Sequence, residues 1–156
     1  MNHGITAKTA SATAASSGLG EYAARALAAE GVNLVIFARS ADTLRARAAD
    51  IAKTFGVKTL PVLGDMRVPA DVDRLITETQ REFGGPDILV LNTGRPPVPM
   101  REVLDETEDA RWQDAYETQL RGAVRVVGKV APLLVSRGWG RIVGITSASV
   151  KQPMVK

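Results

Sequence analysis

Short apolar runs alternate with segments of helical periodicity along the chain, and this alternation limits the possible folds more than any other feature. Strand-like runs lie at 8–13, 32–37, 57–62, 86–91 and 140–146. Between them, apolar residues recur at the i, i+3, i+4, i+7 spacing of one helix face. One such set is Leu19, Tyr22, Ala23, Ala26 and Leu27; a second is Leu44, Ala48, Ile51 and Phe55. A third is Val72, Leu75, Ile76, Thr79 and Phe83, and a longer one runs through Tyr116, Leu120, Ala123, Val124, Val127, Val130, Ala131 and Leu134. Gly31, Gly56, Gly84 and Gly138 fall where these helices should end. Five strands alternating with four helices predict an α/β fold with one parallel sheet covered on both faces. The strands read as near-continuous apolar runs, as burial on both faces requires. The last run, 140–146, is read as a buried strand like the others.

The chain has 156 residues, enough for one domain with a sizeable core. Only 4% are aromatic, so the core must be built from Ala, Val, Leu and Ile. Without cysteine there are no disulfides, no thiol catalysis and no cysteine-ligated zinc. His3 is the single histidine, which argues against a histidine triad or a multi-histidine metal site. The net charge is +3, but Lys and Arg are scattered rather than clustered, so no nucleic-acid partner is expected. The N-terminus lacks the apolar stretch of a secretory signal and no run reaches membrane-spanning length. A cytoplasmic protein with no membrane partner is the expectation.

The candidate chemistry lies at the carboxyl ends of the strands, where open α/β sheets bind ligands. The first strand-to-helix turn reads Thr13-Ala14-Ala15-Ser16-Ser17-Gly18-Leu19-Gly20. Gly18 and Gly20 would let backbone N–H groups approach a pyrophosphate, which the positive end of the helix dipole also favours. Ser16 and Ser17 would add hydroxyl donors. The competing reading is an ordinary tight turn. Further along, Asp65-Met66 follows the third strand, and Asn92-Thr93-Gly94 follows the fourth. Taken singly, the first could be a helix-capping acid and the second a plain turn.

Together, in this order, these landmarks resemble the short-chain dehydrogenases/reductases. The family's Thr-Gly-x-x-x-Gly-x-Gly fingerprint is matched except at Ala14. Asp65 stands where the family places an aspartate against the adenine ring, and Leu91 to Gly94 resembles its Asn-Asn-Ala-Gly. The resemblance implies a Rossmann-like doubly wound parallel sheet of about five strands. It makes residues 1–156 an incomplete dinucleotide-binding domain, truncated at the C-terminal end relative to family members. NAD-specific members carry an acid at the end of the second strand. Here Ala38 holds that place and Arg39 and Ser40 follow. An acid would repel a 2′-phosphate and an arginine would attract it, so NADP(H) is expected rather than NAD. The alternative for Arg39 is a solvent-facing charge at the start of the next helix.

The family's chemistry uses an Asn, a Ser, a Tyr and a Lys. The resemblance puts Ser147 at the serine position, with Ser149 as second candidate; the bland reading is that these hydroxyls merely end the strand. It puts Gln119 at the asparagine position, where the family's residue holds a water in a proton relay, and Gln119 is one methylene longer than that residue. The Tyr and Lys would fall beyond Lys156, since only nine residues follow Ser147. Tyr22 and Tyr116 sit inside helical patterns and are read as packing residues. The stretch Ser149 to Met154 is similar to a divergent branch in which the Tyr-x-x-x-Lys motif is replaced. The expected activity is carbonyl reduction or alcohol oxidation of a small molecule, with this chain binding cofactor better than it catalyses. A noncatalytic nucleotide-binding or sensor domain stays open, as does a flavodoxin-like or receiver-like domain, which would leave Asp65, Asn92 and Ser147 unexplained. The proline-rich segment 95–99 is either a wall of the substrate pocket or a rigid surface loop. Family members pair through the long helix that starts here near Thr107, so a homo-oligomer is expected of the full-length protein, and self-association or poor solubility of the 156 residues alone.

Overall fold

The computed structural model describes residues 3–95, 97–147 and 151. Ser149 lies outside them, as does all of the closing stretch except Lys151. The strands are β1 (Thr9–Thr13), β2 (Asn33–Ala38), β3 (Thr59–Leu63), β4 (Ile88–Leu91) and β5 (Arg141–Gly144). The helices are α1 (Gly18–Ala29), α2 (Ala41–Phe55), α3 (Pro69–Phe83), α4 (Asp109–Tyr116) and α5 (Gly122–Ser136), the last two joined by a π-helical turn at Glu117–Arg121. All strand pairs are parallel and the order is β3-β2-β1-β4-β5. This is a Rossmann-like doubly wound sheet. The chain builds outward from β1 to β3, then crosses back to add β4 and β5 on the other side.

Strand pleating divides the core in two, because successive side chains face opposite sides of the sheet. Leu34 and Ile36 of β2 join Ala10, Ala12, Ile88 and Val90 under α1 and α2, where Ala24, Ala28, Leu44, Ala48 and Ile51 pack. Val35 and Phe37 point the other way, to Val62 and Leu89 and to Val72, Leu75, Val126, Val130 and Leu134 of α3 and α5. Helices α2 and α3 end at Gly56 and Gly84, each in the left-handed conformation that glycine adopts without strain. At the amino ends of the strands, buried Asp87 accepts a hydrogen bond from Thr9 N (2.9 Å) and pairs with Arg137 at 3.3 Å. That carboxylate ties β1, β4 and the end of α5 together.

Three expectations fail. Strand β5 is exposed along its length, because it is an edge strand bonded only to β4 and no described element covers it. Tyr22 and Tyr116 are not packing residues: they are 70% and 48% exposed. The long helix buries only part of the stripe read from the sequence: Val130 and Leu134, with Val127 half-buried beside them. Gly122, Val126, Val130 and Leu134 face the sheet, while Leu120 and Val124 face outward. The π turn adds a residue to one helical turn, so a 3.6-residue period carried through it loses phase.

Two positions near the strand ends respond oppositely to a methyl group. A Cβ on Gly64 would lie 2.5 Å from the Phe37 ring and 2.9 Å from Asp71 Cβ. Gly64→Ala should therefore destabilise the fold by about 1–3 kcal/mol through overpacking. Ala14 already carries its methyl group at φ 47°, a conformation that costs a non-glycine residue about 1–2 kcal/mol. Part of the relief in Ala14→Gly is offset by the looser unfolded chain, leaving a gain of about 0.5–1 kcal/mol. Thermal melting should show Gly64→Ala several degrees below the parent chain and Ala14→Gly about 2 °C above it.

Candidate functional site

The strand order reverses at β1, between β2 and β4, and the carboxyl ends of β1 and β4 diverge there into separate loops. The Thr13 hydroxyl bridges the gap. Its Oγ1 donates to the Asn92 carbonyl (2.7 Å) and accepts from Asn92 N (3.0 Å). Asn92 Nδ2 donates in turn to Ala14 O (3.4 Å). Gly20 lies directly beneath, where a Cβ would be 2.6 Å from Ala14 O and 2.9 Å from Asn92 Nδ2. Only glycine lets α1 start this close to the two strand ends.

Above this floor opens a cleft of about 540 Å³. Of the residues singled out in the sequence, it is lined by Ala14, Ser16, Ser17, Gly18, Leu19, Arg39, Ser40, Asp65, Met66, Asn92, Thr93 and Gly94. Thr13 and Gly20 support it from below. Gly18 has φ 60° and open space where a Cβ would be, and the Ser17 side chain makes no cap hydrogen bond to the α1 terminus. The first N–H groups of α1 thus face an uncrowded, polar opening suited to an anion.

Gln119 reaches the same loop from the π turn. Its Oε1 accepts from Thr93 Oγ1 (2.8 Å) and its Nε2 donates to Gly94 O. The extra methylene thus lets the amide clamp residues 93–94. Ser147 lies three residues beyond β5, is exposed, and is not among the described residues lining the cleft. Of the proline-rich segment, Arg95 lines the main cleft, whereas Pro97 lines a separate cavity of about 140 Å³ with Met100, Val103 and Trp112.

The sequence reading missed Phe37, Gly64, Arg67 and Thr118, which also line the cleft. Arg67 follows a strand end, which places it near the cleft, but its pairing with Asp114 cannot be read from that placement. Thr118 comes from the π turn, and only tertiary structure brings it in. Arg67 is the most connected of these. Its backbone N (2.9 Å), Nε (3.0 and 3.1 Å) and Nη2 (2.7 Å) donate to the Asp65 carboxylate, and its Nη1 donates to Asp114 on α4 (2.6 Å). Arg125 Nη1 donates to the carbonyls of Met66 and Arg67 (2.7 and 3.0 Å).

Burial pushes the Asp65 carboxyl up, but the Arg67 side-chain and backbone hydrogen bonds and the charges of Arg67 and Arg39 outweigh it. They hold the group below its ordinary value of 3.8. A carboxyl with a depressed folded value stabilises the fold fully above the unfolded value and loses that contribution as pH falls through the folded one. Asp65→Asn should therefore lower the melting temperature at about pH 7, and the gap to the parent chain should close as pH drops below about 4. Melting curves at stepped pH check this; a gap that stays constant down to about pH 3 would contradict it.

Residues 8–156 match the sequence profile of the short chain dehydrogenase family. Among curated relatives, the chain is 31% identical over 141 residues to the 3-oxoacyl-[acyl-carrier-protein] reductase FabG of Staphylococcus epidermidis, covering 90% of this chain and 56% of the relative. It is 31% identical over 142 residues to a D-beta-hydroxybutyrate dehydrogenase of Rhizobium meliloti, covering 90% and 54%. Among solved structures, L-sorbose reductase of Gluconobacter frateurii, complexed with NADPH and L-sorbose, superposes with a TM-score of 0.91 at 36% identity, covering 99% of this chain and 57% of that one. An actinorhodin polyketide ketoreductase with NADPH gives 0.86 at 34% identity, covering 96% and 56%. The chain thus spans a little over half the length of each of these four proteins, and its motifs, sheet order and profile agree: it belongs to the short-chain dehydrogenase/reductase family.

Proposed function

We propose that residues 1–156 are the dinucleotide-binding domain of an NADP(H)-dependent oxidoreductase that reduces a carbonyl, or oxidises an alcohol, of a small molecule. The observation that carries the cofactor preference is the end of β2. Ala38 leaves no acid there, and Arg39 projects into the cleft. The NADPH held by L-sorbose reductase and by the actinorhodin ketoreductase supports the same reading.

The residues present fit such a group. The uncapped start of α1 and the open face of Gly18 would take the pyrophosphate, with Ser16 and Ser17 as hydroxyl donors and Leu19 alongside. Thr13, Ala14 and Gly20 would shape the turn beneath it. Arg39 and Ser40 would hold the 2′-phosphate, Asp65 and Met66 would flank the adenine, and Asn92, Thr93 and Gly94 would border the nicotinamide end. When bound, the dinucleotide supplies or accepts the hydride. Ser147 would orient the substrate oxygen, and Gln119 would hold the loop that borders the reaction centre. A nucleotide-binding role without catalysis is the second reading. Gln119 favours it, since both ends of its amide are engaged by residues 93–94 and are not held free for a proton relay.

Arg39→Ala tests the assignment. Loss of a charge-assisted contact worth about 1.5–3 kcal/mol should weaken NADPH binding about tenfold or more. NADH binding should change less than about twofold, because NADH has no group for that contact to hold. Titration calorimetry on the chain would measure both. Equal losses for the two dinucleotides would sink the NADP(H) assignment.

A further inference from the structure

Asp65 is the only acidic residue among the described residues lining the cleft, and it sits beside the arginine that would bind the phosphate. A free carboxylate there would compete for Arg39. It is not free: Arg67 covers both carboxylate oxygens with its backbone N, Nε and Nη2, in a side-on fork that satisfies the group. Arg39 is left 3.9 Å from Asp65 Oδ2, beyond hydrogen-bonding distance, with its side chain 62% exposed. Arg67 is itself immobilised by Asp114, and the loop carrying it is held by Arg125. Remove Arg67, and the remaining cation among Asp65's described ion pairs is Arg39.

We infer that Arg67 is a positioning residue for cofactor choice: by occupying Asp65 it keeps Arg39 available for a 2′-phosphate, an inference that rests on the NADP(H) reading above. A merely structural role would weaken all nucleotides alike. This one moves the ratio between nucleotides with and without the 2′-phosphate.

The test is calorimetric titration of the chain with adenosine 2′,5′-bisphosphate and adenosine 5′-monophosphate, probes that differ only in that phosphate. Arg67→Ala should lower the affinity ratio about three- to fivefold, the scale of one partly exposed ion pair. Adding Asp65→Asn to Arg67→Ala should return the ratio to within about twofold of the parent value, since the competitor is then neutral. An unchanged ratio in Arg67→Ala overturns the inference. So does a double variant that stays at the Arg67→Ala value, because Arg67 would then be touching the phosphate itself. If Arg67→Ala does not fold, Asp65→Asn alone decides: a ratio at or above the parent value supports the inference, and a fall overturns it. Arg39→Ala separates this inference from its premise. A ratio unchanged in Arg39→Ala removes the NADP(H) reading and the inference with it. A ratio that collapses in Arg39→Ala but is unaltered in Arg67→Ala overturns the inference alone.

Discussion

The two-way hydrogen bond between the Thr13 hydroxyl and the backbone of Asn92 fixes the geometry on which the cleft depends. The β1–β4 ladder ends with Ala12 opposite Val90, and beyond it the chains part to enter different loops. A single hydroxyl, acting as donor and acceptor, holds the two ends in register for one more step. That spacing brings Asn92 Nδ2 to Ala14 O and leaves under them a gap only Gly20 fits. The start of α1 is placed as a result, and with it the N–H groups that open on the cleft. A threonine at the end of a buried strand is unremarkable in composition. Its work depends on which strand lies beside it.

The opposite end of the sheet is built differently. There Asp87, nearly fully buried, joins Thr9 N, Arg137 and Lys8, and its own carbonyl accepts from Arg141 N. Removing one member of such a cluster would strand a buried charge, so these contacts hold the strands in place. The carboxyl ends carry polar groups pointed at open space. The Asp87 contacts serve the fold alone, and the groups available to a ligand lie at the opposite pole. This separation lets the cleft keep an awkward feature such as Ala14 in a left-handed conformation.

What the sequence made legible follows from how local each signal was. Strand and helix order came from periodicity within single segments, and the cleft residues of α1, β2, β3 and β4 from loops directly after strands. These need no knowledge of neighbours. The failures all needed it. Tyr22 lies on a helix that is apolar around much of its circumference, and periodicity cannot say which of two apolar faces meets the sheet. The stripe through Tyr116 and Leu120 lost phase at the π turn, which no local residue pattern announced. The apolar run at 140–146 reads as buried because Ile142 and Val143 look like core residues, yet burial depends on what packs against them. Arg67 was not singled out, and its partner Asp114 lies 47 positions away, beyond any local pattern.

The same logic divides the proposed binding and reacting groups. The turn proposed to face the phosphates grows from β1, which is buried along its length and flanked by strands on both sides. Its geometry is therefore fixed by the sheet before any ligand arrives, and preorganised donors lose little on binding. Ser147 follows β5, an edge strand exposed along its length and paired on one side only. A hydroxyl whose place beside a substrate oxygen must be held to about 0.5 Å needs its backbone locked by packing on several sides. Here the only described strand beside β5 is β4. The groups proposed to bind thus rest on contacts present within these residues, whereas Ser147 follows a strand whose Ile142 and Val143 face outward.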